Sequence, residues 1–443
     1  MRRILLIGAG RSSSNLIQYF LDQSEKENWV LTVGDVSIEA AARKIHGHPN
    51  ARAVLFDINS EADRTKMIGE ADIVISLLPA HMHLPVAIEC VKQKRNLVTA
   101  SYVSHEMQEL NAAALEAGVI LLNECGLDPG IDHMSAMKII DEVKEKGGEL
   151  TSFKSYTGGL VAPESNDNPW GYKFSWNPRN VILAGQGTAR FIENGNYKYI
   201  PYNRLFEDIE TIHVDESHAY DGYANRDSLS YRSHYGLDNI PTMLRGTLRQ
   251  SGYCHAWNVF VRLGLTDDTF IITDSSKMTY AQVVSSFLPD SISGKNLKER
   301  LAKFMETSID DVAIQMVEWT GVLDEVKIGL PDSTPAQILQ SLLEKKWLLK
   351  ESDKDMIVMQ HIFEYQIKGK RIHHTSSLVV VGENSIYTAM AKTVGLPVAI
   401  SAKLILNGVI QLNGVQIPTD ASVYNPVLDE LENYGVKFQE KIS

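Results

Sequence analysis

Gly8 and Gly10 stand one residue apart, directly after the apolar run Ile4-Leu5-Leu6-Ile7, and Asp35 closes the next apolar run, Val30-Leu31-Thr32-Val33. Glycines let a backbone approach a pyrophosphate, and the amino end of the following helix presents unpaired N–H groups to it. A carboxylate at the end of the second strand can accept hydrogen bonds from ribose hydroxyls. The spacing therefore predicts a dinucleotide site drawing on Gly8, Gly10, Arg11, Ser12, Ser13 and Asp35. Ser13 stands where the full fingerprint has a third glycine, and a buried strand running into a tight turn is the ligand-free reading of the same residues. Asp35 would repel a 2′-phosphate, and Gly34-Asp35-Val36-Ser37 offers no base to hold one. NAD is the expected cofactor, with NADP as the alternative.

These residues need a scaffold, and the next hundred residues repeat one pattern. Helical periodicity over Ile38–Ile45, Glu61–Ile68, Leu84–Lys94 and Met107–Ala117 alternates with short apolar runs at Ala51–Phe56, Ile73–Ser76, Leu97–Thr99 and Val119–Leu122. Strands apolar on both faces and separated by helices predict a doubly wound parallel sheet of Rossmann type. Ligands in such sheets lie beyond the carboxyl ends of the strands. That rule adds Asp57, for the adenine, and Ser76, Leu77, Leu78 and Pro79, mostly through backbone, to the cofactor site. It brings Thr99–Tyr102 and Asn123–Gly130 to the same edge.

Beyond Gly130 the pattern changes. A helix over His133–Lys146 and a strand at Lys154–Tyr156 precede an irregular stretch, Ala162–Asn180, whose Trp170, Tyr172, Phe174 and Trp176 argue for order. Thr279–Lys350 reads as helices. Met356–Ile367 and Ile372–Val381 read as a strand pair, and Ser385–Leu406 as a helix bent at Gly395–Pro397.

A chain of 443 residues calls for two or three domains, and a net charge of −12 argues against unspecific binding to nucleic acid or anionic membrane. Three scattered cysteines predict free thiols in a reducing compartment. The apolar run after Met1-Arg2-Arg3 is too short for a signal peptide, and no stretch reads as a bilayer span, so the cytoplasm is the expected location. No metal is expected. His81 and His83 flank Met82 without a third ligand, His133 opens a helix as a structural or supporting residue, and His373 and His374 would face opposite sides of a strand.

Several motifs, in order along essentially the whole chain, resemble saccharopine dehydrogenases of the L-glutamate-forming type. They are Thr99-Ala100-Ser101-Tyr102, Gly126-Leu127-Asp128-Pro129-Gly130-Ile131-Asp132-His133, Gly158-Gly159-Leu160 with Ala162-Pro163-Glu164, and Tyr172-Lys173-Phe174-Ser175-Trp176. Asn225-Arg226-Asp227-Ser228, Arg245-Gly246-Thr247-Leu248-Arg249, and Ala389-Met390-Ala391-Lys392 followed by Val394-Gly395-Leu396-Pro397 complete the set. Thr157, Ala224 and the turn Arg11-Ser12-Ser13-Ser14 depart from the family pattern. The resemblance implies a Rossmann domain over 1–128, with about 407–443 packing back on it. A substrate-binding and dimerisation α/β domain follows over 129–406, with a mainly helical insertion at about 236–350. It implies a homodimer that oxidises the secondary amine saccharopine, with water releasing L-glutamate and 2-aminoadipate 6-semialdehyde, or the reverse, in lysine metabolism. It also implies that Ser101, Tyr102, Asp128, Arg226, Thr247, Leu248 and Arg249 hold this tricarboxylate amine.

Physical chemistry refines those roles. Asp128 suits a substrate ammonium or activation of water, and Tyr102 is the weaker candidate for proton transfer. Arginine pairs bidentately with carboxylates, so Arg226 and Arg249 lead, with Lys173 and Arg245 behind them. Two such arginines favour a polycarboxylate over a polyamine. The alternatives are a carboxynorspermidine or lysine 6-dehydrogenase, and a non-catalytic nucleotide-sensing relative.

Overall fold

The computed structural model describes residues 1–215, 218–225 and 227–443, so Arg226 lies outside the described residues. The chain forms two compact units. The first comprises Met1–Leu150, Tyr365–Ile372 and Leu378–Ser443, and the second Thr151–Glu364 with His373–Ser377.

The first unit is built on β1 (Arg2–Ile7), β2 (Trp29–Asp35), β3 (Ala51–Leu55), β4 (Ile73–Ser76), β5 (Asn96–Thr99) and β6 (Ile120–Leu122). The seventh strand, Gly414–Gln416, comes from near the end of the chain and pairs in parallel with β6. In sheet order it precedes β6, β5, β4, β1, β2 and β3, so the strand order reverses between β1 and β4. The strands form because their apolar side chains are covered on both sides, as Ile4 to Ile7 and Ile73 to Ile75 are. Register makes the carboxyl ends level, since Ile7 pairs with both Gly34 and Ser76, and Ser76 with Thr99.

Helix Ala389–Leu406 belongs to this unit and packs against helix Ser14–Glu27. Gly395 makes the approach close, because a Cβ there would lie 3.0 Å from the Ser12 carbonyl and 3.1 Å from the Leu16 Cβ. Contrary to expectation, this helix is long and apolar enough to cross a membrane. It is nonetheless mostly buried, as a core helix is. It begins at Ala389 rather than Ser385, because the Thr388 side chain caps it by accepting the Ala391 N–H, and it continues through Pro397. The expected helix Met107–Ala117 is two pieces, His105–Glu109 and Asn111–Ala117.

The second sheet holds β7 (Glu149–Val161), β8 (Ala189–Glu193), β9 (Asn196–Ile200), β10 (Ile209–His213), β11 (Ala219–Ala224), β12 (Thr242–Gln250), β13 (Asp355–Ile367) and β14 (Lys370–Val381). The main path of the sheet runs β10-β11-β12-β7-β13-β14 and ends on the strand Gln439–Ile442, with β8 pairing β12 and β9. β7 extends well past both ends of the expected Lys154–Tyr156. Lys368 and Gly369, both at positive φ, turn β13 into β14.

Five helices lie between β12 and β13: Tyr253–Leu263, Tyr280–Phe287, Leu297–Phe304, Val312–Trp319 and Pro335–Lys346. Thr279 with Gln282 and Thr334 with Gln337 make reciprocal caps at two of them. The stretch Ala162–Asn180 is ordered by its aromatics. Trp170 stacks on Phe260, meets Trp257 and Trp347 edge-on, and donates its indole N–H to the Met316 carbonyl at 2.9 Å.

Candidate functional site

The glycine turn leaves β1 at the point where the strand order reverses. Gly8 has φ of 104°, and a Cβ on it would meet the Leu77 carbonyl at 2.9 Å, so the chain itself demands this glycine. Gly10 differs. Its φ is −69° and a Cβ there would meet nothing within 4 Å. The open ground in front of Gly10 is a cradle that a side chain would fill, which fits close approach of a pyrophosphate. Ser13, in the place of the third glycine, is buried with its hydroxyl on the Gly10 carbonyl at 2.9 Å.

Asp35 sits at the end of β2. Its Oδ2 accepts the Ala9 N–H at 2.7 Å and its Oδ1 the Ser37 N–H at 2.9 Å, so the carboxylate is fastened to the turn it serves. Lys44, which no motif marks, reaches this turn from helix Ile38–Ile45. Its ammonium bonds the Gly10 carbonyl and the hydroxyls of Ser13, at 2.9 Å, and Ser14, at 3.0 Å. Burial pulls its pKa down to about 8 against the opposing pull of Asp35.

The other cofactor candidates separate by exposure. Leu77, tied to Ile7 by a 2.9 Å backbone bond, leads with Leu78 and Pro79 away from the sheet edge with growing exposure. Ser76 has only its backbone to offer at this edge. It is fully buried and its hydroxyl lies 2.8 Å from His83 Nδ1, facing inward. Asp57 is exposed and holds its own turn by accepting the Asn59 N–H at 2.9 Å. Arg11 is exposed on the turn and Ser12 half-buried.

The second constellation of this unit gathers after β5 and β6. Tyr102 donates its hydroxyl to Asp128 Oδ1 at 3.1 Å. Asp128 is the one half-buried residue in the otherwise buried run Leu127–Ile131. The loop beneath it is tightly wound: Gly126 N–H bonds the Pro129 carbonyl at 2.8 Å and Ile131 N–H the Gly126 carbonyl at 2.9 Å. Gly130, at φ 147°, is irreplaceable here, since a Cβ would fall 2.1 Å from the Gly126 carbonyl oxygen.

Glu124, missed from sequence, ties the two segments together. Buried, it accepts the Val103 N–H at 3.0 Å and lies 2.9 Å from His133 Nε2, while its own N–H bonds the Ser101 carbonyl at 3.0 Å. A Glu ahead of the Gly-Leu-Asp-Pro-Gly motif was the signal available. Ser101 is half-buried and its hydroxyl lies 2.7 Å from His83 Nε2. The arrangement can hold a cation or a water against a carboxylate–phenol pair, beside a serine hydroxyl.

The second unit carries its own set. Arg249 is buried, with its guanidinium 5.4 Å from the ring centres of both Tyr172 and Tyr253. Its Nη1 donates to the Leu248 carbonyl at 3.3 Å. Its Nε lacks a partner, and no carboxylate pairs with it among the described residues. Thr247 is half-buried and pairs in register with Thr157, whose buried hydroxyl also lacks a partner. Both groups are available to a ligand.

Leu248 is a correction. Strand alternation turns its side chain away from Thr247 and Arg249 into the aromatic core, fully buried, so it has only backbone to offer a ligand. Lys173 is another. Its buried ammonium is neutralised by Asp353 at 2.7 Å and Asp167 at 2.9 Å, leaving no charge for a ligand. Arg245 lies 4.3 Å from the centre of the Tyr231 ring. A cavity of about 290 Å3 in this unit, lined by Tyr156, Glu193, Arg204 and Glu210, includes none of these candidates. The buried, open guanidinium is the better marker, because the cavity's Arg204 and Asp208 are already solvated. No group of residues suited to a metal occurs among the described residues, and all three cysteines are free and buried.

A parallel sheet that reverses its order beside a glycine turn, with an acid closing the second strand, defines an oxidoreductase-type dinucleotide-binding fold. The chain belongs to the saccharopine dehydrogenase family. The family's NADP binding domain matches residues 4–122 and its C-terminal domain residues 126–436. The saccharopine dehydrogenase [NADP(+), L-glutamate-forming] of Schizosaccharomyces pombe is 35% identical over 100% of this chain and 99% of that protein. The mitochondrial alpha-aminoadipic semialdehyde synthase of Bos taurus is 34% identical over 99% of this chain and 47% of its own length. Among solved structures, the apo saccharopine dehydrogenase (L-Glu forming) of Saccharomyces cerevisiae superposes with a TM-score of 0.90 at 32% identity, covering both chains fully.

Proposed function

We propose that this oxidoreductase is a saccharopine dehydrogenase of the L-glutamate-forming kind, acting on saccharopine with water to give L-glutamate and 2-aminoadipate 6-semialdehyde, and in reverse. A bound dinucleotide would supply the hydride acceptor; Gly8, Gly10 and the residues to Ser13 would hold its phosphates and Asp35 its ribose. The observation that carries the substrate class is Arg249, a buried guanidinium without a carboxylate partner among the described residues. An uncompensated buried cation is costly, and a substrate carboxylate relieves that cost. Arg249 and Arg226 take substrate carboxylates, Thr247 and Ser101 donate to them, and Asp128 with Tyr102 holds the ammonium or the attacking water. This reading favours a tricarboxylate over the polyamine or lysine alternatives. In the assay, purified protein with NAD or NADP is offered saccharopine, lysine and carboxynorspermidine, and nicotinamide absorbance is followed. Reduction with saccharopine alone is expected. Turnover of another amine would reassign the substrate, and silence with all three would favour a nucleotide-sensing role.

For the cofactor, we infer a preference for NAD. Support comes from the Asp35 carboxylate at the ribose position and from the neighbouring Val36, 73% exposed, where a base would have to stand to meet a 2′-phosphate. Two observations favour NADP instead: the names of the relatives, and the Lys44 ammonium beside the turn. The ratio of kcat/KM for the two dinucleotides decides, and Asp35→Arg is expected to move it towards NADP. A ratio unmoved by that change would remove Asp35 from the argument.

A further inference from the structure

Between the end of β4 and the segment after β5 lies a buried imidazole, His83. It opens helix His83–Lys92, is 4% exposed, and bridges two serines, Ser76 at Nδ1 (2.8 Å) and Ser101 at Nε2 (2.7 Å). The Thr99 hydroxyl sits beside both ring nitrogens at the longer distances of 3.5 and 3.4 Å. Ser76 is buried to 0% exposure and must place its hydroxyl hydrogen on an acceptor. For Ser76 the imidazole is the only side-chain partner among the described residues. If Nδ1 carried the hydrogen, both it and the Ser76 hydroxyl would be donors and the latter would be stranded in the interior. Nδ1 is therefore the acceptor, and the neutral ring carries its hydrogen on Nε2.

We propose that His83 is a positioning residue that fixes Ser101 as a hydrogen-bond donor to the substrate. The chain of bonds runs Ser76 O–H to Nδ1, then Nε2–H to Ser101 Oγ. With one lone pair of Ser101 occupied by the ring, its hydroxyl hydrogen has no acceptor on the imidazole and points outward, where a carboxylate can take it. Burial supports this, because it pulls the His83 pKa down to about 4 and keeps the ring neutral through the working range. The inference rests on the dehydrogenase reading only for the identity of the carboxylate; the direction of the bonds is a property of the free protein.

Two measurements on the full-length protein test it. Long-range proton–nitrogen correlation spectra of histidine-labelled protein, with His83 assigned through its shift change in Ser101→Ala, should show a neutral ring protonated at Nε2. A ring protonated at Nδ1, or at both nitrogens near neutral pH, overturns the proposal. In steady-state kinetics His83→Gln should raise KM for saccharopine about tenfold, the scale of a hydrogen bond to a charged group, with KM for the dinucleotide little changed. In a Ser101→Ala background the same substitution should do almost nothing further. An equal effect in both backgrounds would make His83 merely structural. Should His83→Gln fail to fold, the spectra of the unaltered ring still decide. Should the unaltered protein fail to oxidise saccharopine, the dehydrogenase reading falls while the spectra still judge the bond direction.

Discussion

At the scale of single residues, the unusual feature is that an arginine and a histidine, both polar, are buried for opposite reasons. Arg249 lies among tyrosine rings with bonding capacity unspent. Replacing a buried ion with an apolar side chain of similar volume is often neutral or stabilising, so Arg249→Met is expected to hold or raise the melting temperature. The same change should raise KM for saccharopine by about two orders of magnitude, the cost of leaving a carboxylate unanswered. Loss of stability without a change in KM would make Arg249 a structural residue. His83 is buried neutral, and its pKa of about 4 lies below the usual 6.5 through burial, with a smaller contribution from His81. The unfolded chain then binds more protons than the folded one between those values. Stability is full above pH 6.5 and falls as the pH drops towards 4, by roughly 3 kcal/mol in all. Melting temperatures of the wild type and His83→Gln across that window should converge as the pH falls.

The elements carry a sharper contrast, between two glycines at the ligand edge of the sheet. Gly10→Ala places a methyl in open space at an ordinary φ, so stability should change by no more than about 0.5 kcal/mol while dinucleotide affinity drops at least tenfold. Gly130→Ala drives a methyl into the Gly126 backbone, and a loss of about 4 kcal/mol or more is expected, read by denaturant unfolding. Equal destabilisation of the two variants would mean that Gly10 serves the fold rather than a ligand.

What was legible from sequence follows the same division. The sheet, its strand ends and the positions of Asp35, Ser101, Tyr102 and Asp128 could be read, because a parallel sheet announces itself in apolar runs and puts its ligands at one edge. The side-chain partnerships could not. Lys173 was weighed as a carboxylate-binding cation because nothing local marks Asp353, 180 residues away, as its partner. Leu248 was assigned to the site as part of a motif, although the alternation of β12 turns it inward. Lys44 reaches the glycine turn from a different helix, and no base in the four residues around Asp35 hinted at it. His83 looked like a loop histidine because Ser101, 18 residues on, belongs to another strand end.

On the scale of the whole molecule, the first unit is completed by residues from the far end of the chain. Gly414–Gln416 closes the sheet beside β6, and helix Ala389–Leu406 covers the helix that follows the glycine turn, with Gly395 against Ser12 and Leu16. A fragment of residues 1–150 should therefore lack a cooperative thermal transition by circular dichroism, for it leaves apolar surface around Leu16 and Ile17 uncovered. A fragment with a sharp transition and native-like dinucleotide affinity would show that the later segment is dispensable.

That return of the chain also sets a timetable for biosynthesis. The amino-terminal strands leave the ribosome first, yet the helix that backs the phosphate turn is finished only at Leu406 and the closing strand only at Gln416. At synthesis rates of roughly 5–20 residues per second, the nascent Rossmann sheet waits on the order of 15–50 seconds for its last pieces. During that interval its unpaired β6 edge and uncovered apolar face are open to chaperones. Ribosome-bound chains stalled before residue 389 should be cut readily by protease within the first unit, and chains extended past the end of the sequence should not.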